Sequence, residues 1–402
     1  MFRISRFMQE IDRPTPLTGL SHPPGPVVIW NLVRRCNLTC LHCYSISTDV
    51  DFAGELDTAA VCTVMDDLKH FRVPVLILSG GEPLLRHDLF EIAERSRKMG
   101  FYTGLSTNGT LIDAALADRI AATGFDYVGI SLDGLGDTHD RFRRKPGAFD
   151  ASLAALRLCH ERGVKVGVRF TLAQENSADL PGLLDLVEAE GIDKFYLSHL
   201  NYAGRGNKNR AADAHFQTTR QAMDLLFDTA WDYQRRGLVR EFVTGNNDAD
   251  GVYFLKWVER RFPERAAHIR AKLVDWGGNA SGVNVANIDN LGNVHPDTMW
   301  WDYTLGNVRT RPFSEIWTDT SDPIMAGLKA SPRSVKGRCG DCNHFDICNG
   351  SSRVRARSLT GDAWEEDPGC YLEDAEIGAA SGAHRVPVKP YTGKGVLWAR
   401  PG

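Results

Sequence analysis

Between residue 27 and about 200, short apolar and β-branched runs alternate with longer stretches whose apolar positions recur at helical spacing. The runs Val27–Leu32, Pro74–Ser79, Tyr102–Thr107, Asp126–Leu132, Val164–Leu172 and Lys194–Leu200 read as strands. The stretches near 56–70, 88–99, 112–123, 148–162 and 178–190 read as amphipathic helices. Six β/α units in succession predict a parallel sheet with right-handed crossovers, because parallel neighbours need a connection of helix length. Six is fewer than a closed eight-unit barrel needs, so the predicted fold is α/β, an open partial (β/α)6 barrel. In such sheets chemistry collects on the loops at the C-terminal ends of the strands.

Beyond the alternation, a long helical stretch near 212–237 carries Phe216, Met223, Leu226 and Trp231 at helical spacing and reads as core. A second helix is predicted near 254–272. From about 280 the texture changes to short β segments such as Val283–Ile288 and turns such as Asn290-Leu291-Gly292-Asn293. The predicted organisation is an N-terminal segment (1–24), the barrel (25–210), a helical linker (211–280), an α+β extension (281–375) and a poorly ordered tail (376–402). With 43% hydrophobic and 24% charged residues the chain has the make-up of a soluble globular protein. A net charge of −4 gives no sign of a nucleic-acid or membrane-surface partner. No run approaches the roughly 20 apolar residues of a membrane span. Met1–Thr15 lacks the apolar core of a secretion signal, so a cytoplasmic protein is expected.

Nine cysteines in such a chain favour metal or cluster ligation over disulfides. Cys62 and Cys159 stand alone in helical patterns and read as ordinary buried thiols. Cys36, Cys40 and Cys43 form a C-x3-C-x2-C run on the loop after the first strand. Three thiolates there can each bind one iron of a 4Fe-4S cube and leave the fourth iron open, an arrangement suited to catalysis. Alone, the spacing also admits a zinc site that lacks a ligand. A second group, Cys339-x2-Cys342-x5-Cys348 with Cys370, satisfies either zinc or another 4Fe-4S cluster, and spacing does not choose between them.

The first triad, with the aromatic His42 before its last cysteine, resembles the signature of radical S-adenosylmethionine (SAM) enzymes. Three strand-end segments resemble that family in the same order: Gly80-Gly81-Glu82-Pro83, Ser106-Thr107-Asn108-Gly109, and Ser131-Leu132-Asp133-Gly134 followed by His139-Asp140-Arg141-Phe142-Arg143. The resemblance spans roughly residues 25–205. It implies that the open iron chelates SAM and that one-electron cleavage yields a 5′-deoxyadenosyl radical. Gly80 and Gly81 would let backbone approach the cofactor, and Glu82 would accept from its ammonium. Asn108 and Ser131 would bond ribose or carboxylate, and Arg143 would pair the carboxylate, with Arg144 as the next candidate. An external electron donor of ferredoxin or flavodoxin type is implied.

The C-terminal part resembles the SPASM extension of that family, through Ile288–Pro296, Leu305-Gly306-Asn307-Val308 and Ser314-Glu315-Ile316-Trp317. Where a full extension carries further cysteines this chain has Asp297 and Ser352, so one auxiliary cluster is lost and the one at Cys339, Cys342, Cys348 and Cys370 is kept. Two 4Fe-4S clusters are therefore expected. Asp297 stays a candidate ligand or substrate contact beside the plainer reading of a turn aspartate. That single auxiliary cluster, His295–Trp301 and Asn246–Gly251 resemble the haem-biosynthesis branch, above all its haem d1 members. This implies 12,18-didecarboxysirohaem as substrate, with two propionates attacked and ultimately replaced by oxo groups. Arg169, Arg205 and Lys208 are candidate partners for substrate carboxylates, and His199 and His295 candidate axial ligands. A radical SAM peptide maturase, a decarboxylase of the alternative haem pathway and a non-enzymatic iron–sulfur or zinc scaffold are the competing readings.

Overall fold

A ten-stranded sheet runs through the computed structural model, which describes residues 1–17, 25–379 and 385–388. All six strands read from the alternation are present: β1 (Val27–Val33), β2 (Val75–Gly80), β3 (Tyr102–Thr107), β4 (Tyr127–Ser131), β5 (Val166–Leu172) and β6 (Lys194–His199). They pair in parallel in chain order. Two further parallel strands extend the wall, β7 (Glu241–Gly245) beside β6 and β8 (Val285–Ile288) beside β1. No ladder among the described residues joins β7 to β8, so the barrel stays open. Past β8, the antiparallel β9 (Asn293–His295) and β10 (Gly306–Asn307) attach the C-terminal extension to the same sheet.

The strands alternate as a wall between two environments must. Val28, Trp30, Leu76, Leu78, Val128, Ile130, Val168 and Phe195 are buried on the outer face. The inner face carries Asn31, Ser79, Ser106, Ser131, Arg169, Tyr196 and Ser198, in register with one another across the ladders. Local signals hold the covering helices in place. The Asp57 side chain accepts from Ala60 N to start Thr58–His70, and Asp113 does the same for Ala114–Thr123, which ends on Gly124 at φ 73°.

Three segments differ from the sequence reading. The region read as a helical linker contains β7, a five-residue strand between long helices. The helix expected over 254–272 is two, Ala249–Arg261 and Ala266–Trp276, because Pro263 cannot donate to the helical ladder. The N-terminal segment is not a featureless lead-in. Its helix Ile4–Asp12 buries Ile4, Phe7, Met8 and Ile11, and Phe2 pairs by backbone with Thr244 of β7. Of the tail, 376–379 and 385–388 are held to the body. Arg220 grips Glu376 at 2.8 and 2.9 Å, and Arg385 donates to the Cys370 carbonyl at 3.3 Å. The rest of the tail lies outside the described residues. Among the described residues, no helix is long and apolar enough to cross a membrane.

Candidate active site

The chain leaves β1 through Arg34 and Arg35 and enters the cysteine loop at the C-terminal edge of the sheet. Gly81 N donates to the Val33 carbonyl at 2.7 Å and Glu82 N to that of Arg35 at 2.9 Å. A Cβ on Gly80 would overlap the Val33 carbonyl oxygen, and one on Gly81 would overlap the carbonyl oxygens of Arg34 and Arg35. Glycine is thus required here first by the strand-exit backbone that carries the cysteines, before any cofactor is considered. On the other side the segment after β6 grips the loop. Arg205 N donates to the Cys43 carbonyl at 2.8 Å, its Nε to that of Cys40 at 2.7 Å and its Nη1 to that of Ser47 at 2.9 Å. Asn209 Nδ2 adds a bond to the Leu41 carbonyl at 2.8 Å.

The three thiols share one electrostatic environment. Burial pushes Cys36 and Cys40 up, and the negative forms of the neighbouring thiols push them further. For Cys43 burial acts in the same upward direction, but Arg205 and the hydrogen bonds from Ser45 and Ser47 outweigh it and lower its pKa. Donors surround the sulfurs: Asn108 Nδ2 lies 3.9 Å from Cys36, Arg143 Nη1 3.5 Å from Cys40 and Ser45 Oγ 3.4 Å from Cys43. Such outer partners suit thiolates that bind iron. Among the described residues no three His, Cys, Asp or Glu side chains surround one point as ligands of a single ion would. In a cube each thiolate takes a different iron, so that criterion speaks only to mononuclear sites.

The structure places the other expected cofactor contacts around this loop. Glu82 is fully buried, accepting from Thr107 Oγ1 at 2.6 Å and Asn108 N at 2.8 Å, and burial raises its pKa. Asn108 is already committed, donating to Asn37 Oδ1 at 2.8 Å and accepting from Thr110 Oγ1 at 2.7 Å, so it braces the cysteine loop. His42 stacks on Phe142 at 4.8 Å, and burial lowers its pKa to about 4. Ser131 is half-buried opposite Arg169. Arg143, expected to pair the cofactor carboxylate, is ion-paired with Asp133 and directed at Cys40. Arg144 caps its helix at φ 57° on the surface.

Of the substrate candidates, only Arg169 stands in the lumen without a carboxylate partner among the described residues. It donates to Ser106 Oγ and lies over the Tyr196 ring at 5.4 Å. Glycines make the room: a Cβ on Gly129 would stand 2.9 Å from Arg169 Cδ, and ones on Gly167 and Gly245 would overlap the hydroxyls of Tyr127 and Tyr196. Of the lumen floor of Tyr127, Tyr196 and Arg169, only Arg169 was read from the sequence; three glycines on inward positions of β4, β5 and β7 were the trace of the two tyrosines. Arg205 serves the cysteine loop, as above. His199 belongs to the outer face, where Nε2 lies 2.9 Å from Asp250 Oδ2, and Tyr371 OH donates to the same carboxylate at 2.7 Å. His295 is buried with Nδ1 2.8 Å from the Tyr303 carbonyl, stacked on Trp301. Lys208 is exposed at the end of a short helix. Asp297 closes a turn, accepting from Met299 N at 2.7 Å, and Ser352 caps the helix Arg353–Thr360.

The second cysteine group also converges. Burial raises Cys348 well above its usual value, and Cys339, Cys342 and Cys370 each add to the rise. His344 N donates to Cys342 sulfur at 3.3 Å and Asp367 N to Cys339 sulfur at 3.5 Å. Three thiols that act on a fourth, two of them accepting from amides, are the ligand types of a multinuclear iron–sulfur cluster. Cys62 and Cys159 are free and lie in helices; Cys159 is buried as expected, whereas Cys62 is only half-buried.

The model of the radical SAM superfamily matches residues 30–187. The pre-heme d1 synthase of Dinoroseobacter shibae is 55% identical over 98% of this chain and 98% of its own. The Fe-coproporphyrin III synthase of Methanosarcina barkeri is 45% identical over 91% of this chain and 92% of its own. Among solved structures, Streptococcus suis SuiB bound to S-adenosylmethionine superposes with a TM-score of 0.68 at 16% identity, covering 87% of this chain and 78% of that one, and shows the shared fold. The chain therefore belongs to the radical SAM superfamily, enzymes that use a 4Fe-4S cluster and SAM and need a reductant.

Proposed function

We propose that this chain is a radical SAM enzyme of haem d1 biosynthesis that acts on 12,18-didecarboxysirohaem and converts its propionate side chains towards oxo groups. The observation that carries this reading is the 55% identity to pre-heme d1 synthase across nearly the whole of both chains. Cys36, Cys40 and Cys43 would hold a cluster with one open iron, which with bound SAM supplies a hydrogen-abstracting carbon radical. Cys339, Cys342, Cys348 and Cys370 would hold a second cluster, an acceptor for electrons released when substrate carbon is oxidised.

The chain's own residues supply position and charge. Arg205 and the Gly81–Glu82 backbone fix the cysteine loop from two sides. Glu82 offers a buried carboxylate beside Cys36 for an ammonium. Arg169 offers the lumen a guanidinium for a carboxylate, and the tyrosine floor leaves an apolar, hydroxyl-edged surface against which a macrocycle can lie. A propionate presents C–H bonds beside a conjugated ring, where an unpaired electron is delocalised. A ferredoxin- or flavodoxin-type protein is the proposed donor.

The test is an anaerobic incubation of reconstituted protein with 12,18-didecarboxysirohaem, SAM and dithionite, followed by mass analysis of the tetrapyrrole. The reading requires 5′-deoxyadenosine together with mass changes confined to the propionates. SAM cleavage that leaves the tetrapyrrole intact, or that modifies a linear peptide instead, would refute it.

A further inference from the structure

At the end of β7 the alternation of the sheet breaks. Gly245 is the last inward position: it pairs in register with Ser198 of β6, and a Cβ on it would overlap the Tyr196 hydroxyl. Strand geometry would turn the next side chain outward. Asn246 instead adopts φ 66°, the left-handed conformation, and its Nδ2 reaches back to donate to Ser198 Oγ on the lumen face at 2.7 Å. Asparagine tolerates that conformation better than most residues, but glycine adopts it freely. A turn alone would be served by glycine; what asparagine adds is an amide inside the lumen. Backbone strain kept at a strand end beside a site points to a role for the side chain.

That amide is only partly used. A primary amide has two N–H donors and a carbonyl acceptor. One N–H goes to Ser198, and Oδ1 accepts no hydrogen bond among the described residues. Asn246 is half-buried, so the rest of the amide stays open to a ligand. Tyr196 runs between it and Arg169: the guanidinium lies 5.4 Å from the ring centroid, and the hydroxyl stands over Gly245. The floor thus presents a cation, an aromatic face and a neutral amide in one strip. A flat ring bearing oxygen-rich substituents at two edges matches it end to end.

We infer that Asn246 is a substrate-binding residue, its amide holding one carboxylate-bearing substituent of the tetrapyrrole while Arg169 holds another. The inference rests on the proposed tetrapyrrole substrate. The experiment titrates 12,18-didecarboxysirohaem into full-length, anaerobically reconstituted protein with SAM present and follows absorbance, with turnover kinetics and thermal unfolding in parallel. Asn246→Gly relaxes the backbone and deletes the amide. It is expected to keep the wild-type melting midpoint while binding weakens about three- to ten-fold, the loss of a neutral hydrogen bond, and KM rises with kcat little changed. Asn246→Asp keeps the shape and the turn but sets a carboxylate against the ligand's own. Binding should then weaken by more than about ten-fold, and the methyl ester of the tetrapyrrole should recover most of that loss. Wild-type affinity in both variants would overturn the inference. So would an Asn246→Gly protein whose melting midpoint falls along with its affinity, the signature of a turn residue. Should Asn246→Gly fail to fold, Asn246→Asp decides: a loss with the acid and recovery with the ester supports the contact, and equal binding of both rejects it. Wild-type protein that takes up no tetrapyrrole would instead sink the substrate reading, and the inference with it.

Discussion

Gly204 offers a sharp test of how the cysteine loop is held. It lies just after β6 at φ 53°, a left-handed conformation that costs a side chain about 1–2 kcal/mol. A Cβ there would overlap the Tyr44 carbonyl oxygen and stand 2.5 Å from that of Cys43, about 0.9 Å inside the 3.4 Å at which ordinary contact begins. Both obstacles are backbone, and the Cys43 carbonyl is the one that accepts from Arg205 N, so no side-chain rotation relieves them. Overpacking of this kind adds about 1–3 kcal/mol. Gly204→Ala should therefore cost about 2–5 kcal/mol, or else displace Cys43 by nearly an ångström and lose cluster. Gly237→Ala is the control, since φ is 69° there and nothing lies within 4 Å of the new methyl. It should cost only the conformational part. Thermal unfolding and iron content after anaerobic reconstitution read the two effects together. A Gly204→Ala protein as stable as Gly237→Ala, with full iron and wild-type SAM cleavage, would refute the argument.

Other substitutions probe other parts. Arg169→Gln should weaken binding of a carboxylate-bearing ligand about ten-fold or more, as expected when a charged hydrogen bond of about 1.5–3 kcal/mol is lost, while thermal stability changes little because one hydrogen bond to Ser106 and a contact over the Tyr196 ring are lost; ligand titration against the melting curve separates the two. Asp367→Ala should cost about 3–5 kcal/mol, since Arg355, 1% exposed, is gripped by both carboxylate oxygens at 2.8 and 2.7 Å and also donates to the Leu200 carbonyl; denaturant unfolding measures it. Burial alone would raise the Glu241 carboxyl, but Lys194 and Arg3 outweigh it and hold it at about 2. Its contribution to stability is then complete above the ordinary value of 4.5 and is lost as pH falls from there towards 2. Glu241→Gln should flatten that acid limb in melting curves taken across it, and an unchanged limb would contradict the assignment.

The barrel was legible because six strands and their helices repeat two distinct periods, and the cluster loop because three cysteines fall in one short run. What stayed hidden depended on contacts between distant segments. β7 is five residues long and takes its place through the ladder to β6 and the backbone pair with Phe2, so periodicity alone is too short to declare it. Arg205 looked like a loop cation open to substrate; its three bonds to cysteine-loop carbonyls join segments some 160 residues apart. His199 lies on a strand end one residue from inward-facing Ser198, and a single step of alternation turned it to the outer face. Arg143 was found as a site residue, but its partner Asp133 was not, because nothing in Ser131-Leu132-Asp133-Gly134 shows that the carboxylate turns towards the cysteine loop.

The most direct measurement is 5′-deoxyadenosine formation and iron content in wild-type protein against a variant with Cys36, Cys40 and Cys43 all changed to Ala. The wild type should carry about eight irons per chain, two cubes of four, and release the nucleoside under reducing conditions; the variant should keep about four irons and release none. Nucleoside release that survives the loss of all three thiols would contradict the account at its root.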